Sequence, residues 1–476
     1  MTERWPKILL PLSLVIVSLY AFYVVIAGAV SSNAYMYLGG LIGLEILIMV
    51  VWKYRERYFT VLVITFLCAG TGVPFRSVFL TARWGVLAVG ALVGFSLYMK
   101  SPIQKFGTFH LVAAFSIITA LVSALVSNYP SIALLKTVSL FLVFLYAAAG
   151  ARLAVVGREA NFFSGLLLGC EIIVYISAFC YLVLHYPFYG NSNSLGVVMG
   201  VVAFPLLFWG VIASAGTRLQ RRLIFALVLC GLLLLSSYAR AAIGGAGISS
   251  AVLCIALRRY RLMLKGLAAV VLAALLVITI APLAEAPSGG GLMERLSLTF
   301  FYKGKRELGV FSSRESPWTL TSKAIHQHPW FGTGFGTSET SDEAHQQDLT
   351  VQSIRGATRE HGNSYLAIAE WTGLFGVAPF YFLVILLVFN VGQVVRWIRR
   401  TGSPFSPAVP VAAVLIAGLF HATFEDWLFA VGYYMCSFFW ALAFVLFDVL
   451  PATDPLPAPA EALPARNPAF RDFSRV

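Results

Sequence analysis

Residues 222–257 read R-L-I-F-A-L-V-L-C-G-L-L-L-L-S-S-Y-A-R-A-A-I-G-G-A-G-I-S-S-A-V-L-C-I-A-L. A bilayer core takes about 20 apolar residues per helix, so this run is too long for one crossing. It is broken only at Ser236-Ser237-Tyr238-Ala239-Arg240 and at the glycines that follow. It therefore divides into two spans, 222–239 and 241–257, joined by a tight turn. Arg218, Arg221 and Arg222 precede the pair, and Arg258, Arg259, Arg261 and Lys265 follow it. Lys and Arg concentrate on the cytoplasmic side of membrane proteins, which puts both flanks inside and Arg240 outside.

The rest of the chain repeats this pattern. Of 476 residues, 59% are hydrophobic and 12% charged. A soluble chain carries about 25% charged residues, and half that charge cannot cover a soluble body of this size. A water-soluble enzyme and a disordered chain are both excluded, leaving an all-α polytopic membrane protein of about 12–14 spans. Candidate spans are 8–30, 34–52, 59–73, 84–99, 106–127, 132–155, 162–186, 194–215, 222–239, 241–257, 263–283, 364–395, 408–424 and 428–450. The first is too long for a signal-peptide core and no A-x-A cleavage site follows it, so it reads as a retained helix. The six cysteines lie inside apolar runs without C-x-x-C spacing, and read as small buried residues.

With the N-terminus in the cytoplasm, the short inward loops hold Lys53, Arg55 and Arg57, Lys100 and Lys105, Arg152 and Arg158, the two arginine clusters above, and Arg396, Arg399 and Arg400. The short outward loops hold only Arg76, Arg83 and Arg240. The net charge of +13 is therefore a topological signal rather than a nucleic-acid footprint. Four regions follow: transmembrane helices over 1–283, one large outward loop over 284–363, three closing spans over 364–450, and a Pro/Ala-rich tail over 451–476 that reads as a disordered cytoplasmic end. The long loop is near neutral and is long for a connection without a task. Inside it, Ser316 reads as an N-cap and Pro317 as the first residue of a short helix, ended by Pro329 and the turn-rich G-T-G-F-G.

Candidate chemistry gathers on the outward side. Arg240 either snorkels to the headgroups or offers its fork of donors to a phosphate among small neighbours. Arg314, beside the loop helix, is either a surface partner of Glu315 or a second phosphate clamp. Arg76 and Arg83 flank the outward P-F-R-S-V-F-L-T-A-R and are further phosphate candidates. His361 stands where the loop re-enters the membrane. It is either a plain polar contact or a general base, its ordinary pKa near 6.5 suiting proton abstraction at neutral pH. Asn363 and Tyr365 are placed to orient it or to hold sugar hydroxyls. Trp318 stacks on a sugar ring or belongs to the interfacial aromatic belt. The acidic pairs Asp342-Glu343 and Glu425-Asp426 read as solvated loop charges. No H-E-x-x-H or D-x-D is present, so neither a metal nor another cofactor is expected.

Four stretches resemble the O-antigen ligase-related family of surface-polysaccharide ligases and polymerases. They are G-N-S-N-S-L-G (190–196), S-S-Y-A-R-A-A (236–242), S-R-E-S-P-W-T-L-T-S-K-A-I-H-Q-H-P-W-F-G-T-G-F-G (313–336) and H-G-N-S-Y-L-A-I-A-E-W-T-G-L-F-G (361–376). Gly362 stands between His361 and Asn363 where the family often has His followed directly by Asn. The resemblance implies a metal-independent, inverting glycosyltransferase of the bacterial inner membrane, working on the periplasmic face. Its donor would be an undecaprenyl-diphosphate-linked glycan, and its acceptor a lipid-linked chain (a polymerase, the leading reading) or lipid A–core (a ligase). On that reading Arg240 and Arg314 hold the diphosphate, with Arg76 and Arg83 as supporting contacts. His361 is the base, and Asn193, in the first stretch, is a glycan contact. A lipid-linked sugar flippase is the competing class. It explains the spans and the arginines, but not a long loop with a histidine at its re-entry.

Overall fold

The structure is a computed structural model describing residues 32–74, 76–101, 106–280, 312–338 and 358–451. The first candidate span, the Asp342-Glu343 pair and the tail beyond 451 lie outside these residues. Within them the chain is all helix, with no strand. In chain order the helices are α1 (Ser32–Lys53), α2 (Arg55–Gly70), α3 (Arg76–Tyr98), α4 (Thr108–Leu125), α5 (Pro130–Val155), α6 (Glu159–Val183), α7 (Ser192–Ala213), α8 (Arg218–Ser236), α9 (Arg240–Ala256), α10 (Tyr260–Ile280), α11 (Ser312–Gln327), α12 (Ser364–Thr401), α13 (Ala408–His421) and α14 (Tyr434–Val449). Seven of them are long and apolar enough to cross a membrane, and α9, α13 and α14 are shorter apolar helices. Every candidate span that falls on described residues coincides with one helix.

The connections alternate between two ends of the bundle. One end gathers residues 71–74, 184–191, 237–239 and 422–433 together with α11. The other gathers the basic loops, among them Arg218, Arg258, Arg259, Arg399 and Arg400. At the basic end, Arg152 is not the loop charge expected from topology counting. Its side chain is 1% exposed and paired with Asp448 of α14 at 2.5 and 2.6 Å. His110 of α4 meets the same guanidinium at 2.7 Å, and the Tyr98 ring lies 4.8 Å from it. A buried arginine keeps its charge only with such partners, so this cluster ties α3, α4, α5 and α14 together.

Helix bounds correct the sequence reading in two places. The stretch carrying Arg76 and Arg83 is not a loop but the first two turns of α3. R-S-V-F-L-T-A-R contains no breaker after Pro74, so the helix begins at once. The loop helix α11 begins at Ser312, with Pro317 inside it. Proline's fixed φ is helical, and near a helix start it removes only one hydrogen bond.

α12 sets the position of the long loop. Gly373 interrupts it with φ 62° and ψ −171°. A break frees backbone groups that a membrane cannot satisfy, and here the loop supplies partners. Leu374 N–H donates to the Pro329 carbonyl (2.8 Å) and Phe375 N–H to that of Trp330 (3.1 Å). In return Thr333 N–H donates to the Glu370 carbonyl (2.9 Å) and Gly334 N–H to that of Trp371 (3.1 Å). A Cβ at Gly373 would stand 2.5 Å from the Trp330 carbonyl, so only glycine fits. The loop's G-T-G-F-G turn is thereby stitched to the helix that starts beside His361.

Candidate active site

His361 is 1% exposed and precedes the first turn of α12. Its Nδ1 lies 3.1 Å from Asp426 Oδ2, and its backbone N–H donates to the same oxygen at 2.8 Å. On the opposite side of the ring, Nε2 lies 2.9 Å from the Ser338 hydroxyl and 3.5 Å from Glu370 Oε1. The Trp371 indole stands edge-on to the imidazole, its ring centre 5.2 Å away. Glu370 is fully buried; Oε2 is paired with Arg359, and among the described residues Oε1 has no hydrogen-bond donor.

Asp426 is no solvated loop acid, and neither is its neighbour. Ser364 pins their connection: its N–H donates to the Ala422 carbonyl (2.9 Å), its hydroxyl donates to the Glu425 carbonyl (2.6 Å) and accepts from Leu428 N–H (3.1 Å). Burial alone would raise the Asp426 pKa, but the hydrogen bonds from the ring and backbone of His361 outweigh it and hold the carboxyl below its ordinary value. Burial alone would lower the His361 pKa, but the hydrogen bond to Asp426 and the negative charges of Asp426 and Glu370 leave it raised. With Nδ1–H committed to Asp426, Nε2 is the nitrogen left for chemistry, and an imidazolium formed there is stabilised by two carboxylates.

Arg314 lies against the same loop. A Cβ at Gly362 would come within 2.9 Å of its Cδ, so the glycine that separates His361 from Asn363 makes room for this side chain. Its guanidinium is held by Glu360 at 2.7 Å and by Glu425. Burial drives the Glu425 carboxyl up to about 6 against the pull of Arg314. Arg240, the first residue of α9, is close enough to Arg314 for the two charges to interact. The small residues near it serve helix packing as well: a Cβ at Gly245 would meet the Ala417 carbonyl at 2.9 Å. The structure thus brings Arg240, Arg314 and His361 to one end of the bundle.

The remaining predicted residues divide. Trp318 Nε1–H donates to the Gly362 carbonyl at 3.1 Å, beside the histidine. Asn363 is the N-cap of α12, its Oδ1 accepting from Tyr365 N–H (2.8 Å) and Leu366 N–H (3.1 Å). The Tyr365 hydroxyl donates to the Leu419 carbonyl at 3.0 Å. These bonds commit both side chains to helix start and helix packing, and the groups that orient His361 are Asp426 and Glu370 instead. Arg76 donates to the Ala69 carbonyl (3.2 Å). Arg83 donates to that of Gly432 (2.6 Å) and covers the Trp84 ring. Asn193 lies in the first turn of α7, next to Ser194, whose carbonyl accepts from the Tyr434 hydroxyl at 3.3 Å. Arg76, Arg83 and Asn193 share the site's end of the bundle, but neither they nor Arg240, Arg314 and Trp318 line the His361 cavity. That cavity, about 160 Å³, is walled by Lys136, Phe335, Arg359, His361, Trp371 and Asp426 among others.

Residues 225–381 match a family model described as O-antigen ligase. Over those residues the chain is similar to that family. No curated protein matches the chain. The matched stretch holds Arg240, Arg314, His361 and Glu370, whereas Asp426 and Lys136 enter the site from outside it.

Proposed function

We propose that this O-antigen ligase-related membrane protein transfers a glycan from an undecaprenyl-diphosphate-linked donor to an acceptor hydroxyl, with His361 as general base. The observation that carries the reading is the hydrogen-bonded line from Asp426 through His361 to the Ser338 hydroxyl. A buried histidine backed by a carboxylate and meeting a hydroxyl at Nε2 is built to take a proton. The Ser338 oxygen marks the place where an acceptor hydroxyl would bind. As that hydroxyl attacks the anomeric carbon, its proton passes to Nε2, a C–O bond forms, and the bond to the diphosphate breaks with its electron pair leaving on phosphate. Attack opposite the leaving group inverts the centre. Glu370 Oε1, facing Nε2 without a donor of its own, stabilises the imidazolium as it forms.

Arg240 and Arg314 are assigned to the diphosphate. A diphosphate would replace the exposed Glu360 on Arg314 and relieve the repulsion between the two guanidiniums. Arg76, Arg83, Asn193 and Trp318 are assigned to more distant lipid-phosphate and glycan contacts at the same end. We assign the basic-loop end to the cytoplasm from the Lys/Arg bias, a topology in which the site faces the periplasm. Polymerisation of repeat units is the leading reaction. The description of the matching family favours the second, ligation onto lipid A–core.

The test uses the full chain in liposomes with labelled donor and both acceptors. Lengthened lipid-linked glycan means polymerase, and labelled lipid A–core means ligase. Folded His361→Ala protein that transfers glycan at the parent rate would remove the assignment.

A further inference from the structure

α5 carries one lysine, Lys136, in P-S-I-A-L-L-K-T-V-S-L at 130–140. An ammonium inside a membrane helix is costly, and it is usually relieved by a carboxylate or by reaching the headgroups. Lys136 reaches inward instead. Its Nζ donates to the Gly336 carbonyl, and among the described residues it has no carboxylate partner. The loop is shaped for this contact. Gly336 has φ +73°, and a Cβ there would stand 2.5 Å from Lys136 Cδ. The turn therefore accepts the lysine stem only because residue 336 is glycine.

Lys136 lines the same cavity as His361. Asp426, which lines the cavity, is already committed to His361, and Glu370 behind it is committed to Arg359. Among the described residues, that leaves the ammonium as the cavity's positive charge without a carboxylate partner. Of its three N–H donors, one is used by the carbonyl and two have no partner among the described residues. A cavity holding a base at one wall and an uncommitted cation at another suits a reaction in which a proton leaves one oxygen while negative charge grows on a second.

We infer that Lys136 is the anion subsite of this cavity and receives the phosphate oxygen that departs from the anomeric carbon. This rests on the glycosyl-transfer reading above. The C–O electron pair goes to that oxygen, the acceptor proton goes to His361 Nε2, and Lys136 hydrogen-bonds the new charge without giving up its own proton. Arg240 and Arg314 are then left to the rest of the diphosphate.

Lys136→Gln separates this role from a structural one, because the amide still donates to the Gly336 carbonyl but carries no charge. In liposomes with the full chain, Lys136→Gln is expected to lower kcat about 10²–10³-fold, as loss of an oxyanion donor does, with a far smaller change in donor KM. Lys136→Arg should recover part of the loss. Parent turnover in Lys136→Gln overturns the inference. So does a loss confined to donors bearing acidic sugars, which would make Lys136 a reader of sugar carboxylates. A measurement on the unmutated protein guards against a variant that does not fold: polyprenyl diphosphate should protect Lys136 from an amine-acylating reagent. Absence of protection overturns the inference. If the unmutated protein transfers nothing from any lipid diphosphate, the broader reading fails, and the protection experiment still reports on the subsite.

Discussion

Replacing Asp426 by Asn tests the site at its most specific contact. The amide oxygen can keep the 2.8 Å bond from the His361 backbone, so the loop keeps its course, but the charge facing Nδ1 at 3.1 Å disappears. A hydrogen bond to a charged group contributes about 1.5–3 kcal/mol. Lost from the state in which His361 is protonated, this is about 10- to 150-fold in kcat. The effect of general acid–base catalysis itself, about 10²–10⁴-fold, sets the ceiling. The pH profile gives an independent reading. On the proposed mechanism neutral His361 is the active form, and its pKa is raised in the parent by Asp426 and Glu370 against the opposing effect of burial. The acid limb of kcat therefore lies above the ordinary histidine range. Without the Asp426 charge the imidazolium is less stable, the pKa falls, and the limb moves to lower pH while the plateau drops. Steady-state transfer by Asp426→Asn in liposomes from pH 5 to 9 measures both. A folded variant whose limb stays in place would show that Asp426 is only a structural tie, and an unchanged plateau would remove it from the mechanism.

Ser338→Ala should keep activity and an inverted product, since the hydroxyl only holds the acceptor's place; an inactive variant together with a retained anomeric centre in the parent product would make Ser338 a nucleophile. Glu425, with its carboxyl near 6, should control Arg314. As pH falls through about 6 it takes up a proton and ceases to neutralise the guanidinium, so donor KM should fall; Glu425→Gln should flatten that dependence, and a profile identical to the parent's would refute the coupling. At the opposite end, Asp448→Ala leaves Arg152 buried without its partner and should cost about 3–5 kcal/mol of stability, read as a lowered unfolding midpoint in detergent, with the folded fraction still turning over normally.

The spans were legible because each is a long apolar run, and a bilayer leaves the backbone no alternative to the helix. Arg240 and His361 were legible because they interrupt or border such runs on one side, and Arg314 because it stands beside the helix of the long loop on that side. Asp426 was not. It meets His361 across 65 positions of sequence, and an acidic pair between two spans looks the same whether it is solvated or folded inward. Arg83 was misplaced because charge was taken to end a helix, whereas it sits two turns into α3, held by the Gly432 carbonyl. Lys136 escaped notice because topology counting weighs only charges in loops. The signal was nevertheless present: a lone lysine within an apolar span is a functional candidate by default. The capping role of Asn363 was also readable, since Asn followed by the apolar start of α12 is an N-cap pattern.

The break at Gly373 also bears on how the protein is made. The chain emerges from the ribosome with the long loop ahead of α12, and the interrupted backbone of that helix finds its N–H and most of its carbonyl partners on residues 329–334. On the proposed topology, α12 cannot settle fully into the lipid until the preceding loop has been exported. Assembly of the catalytic centre would then wait on translocation, so that a chain still threading through the insertion machinery carries no competent enzyme.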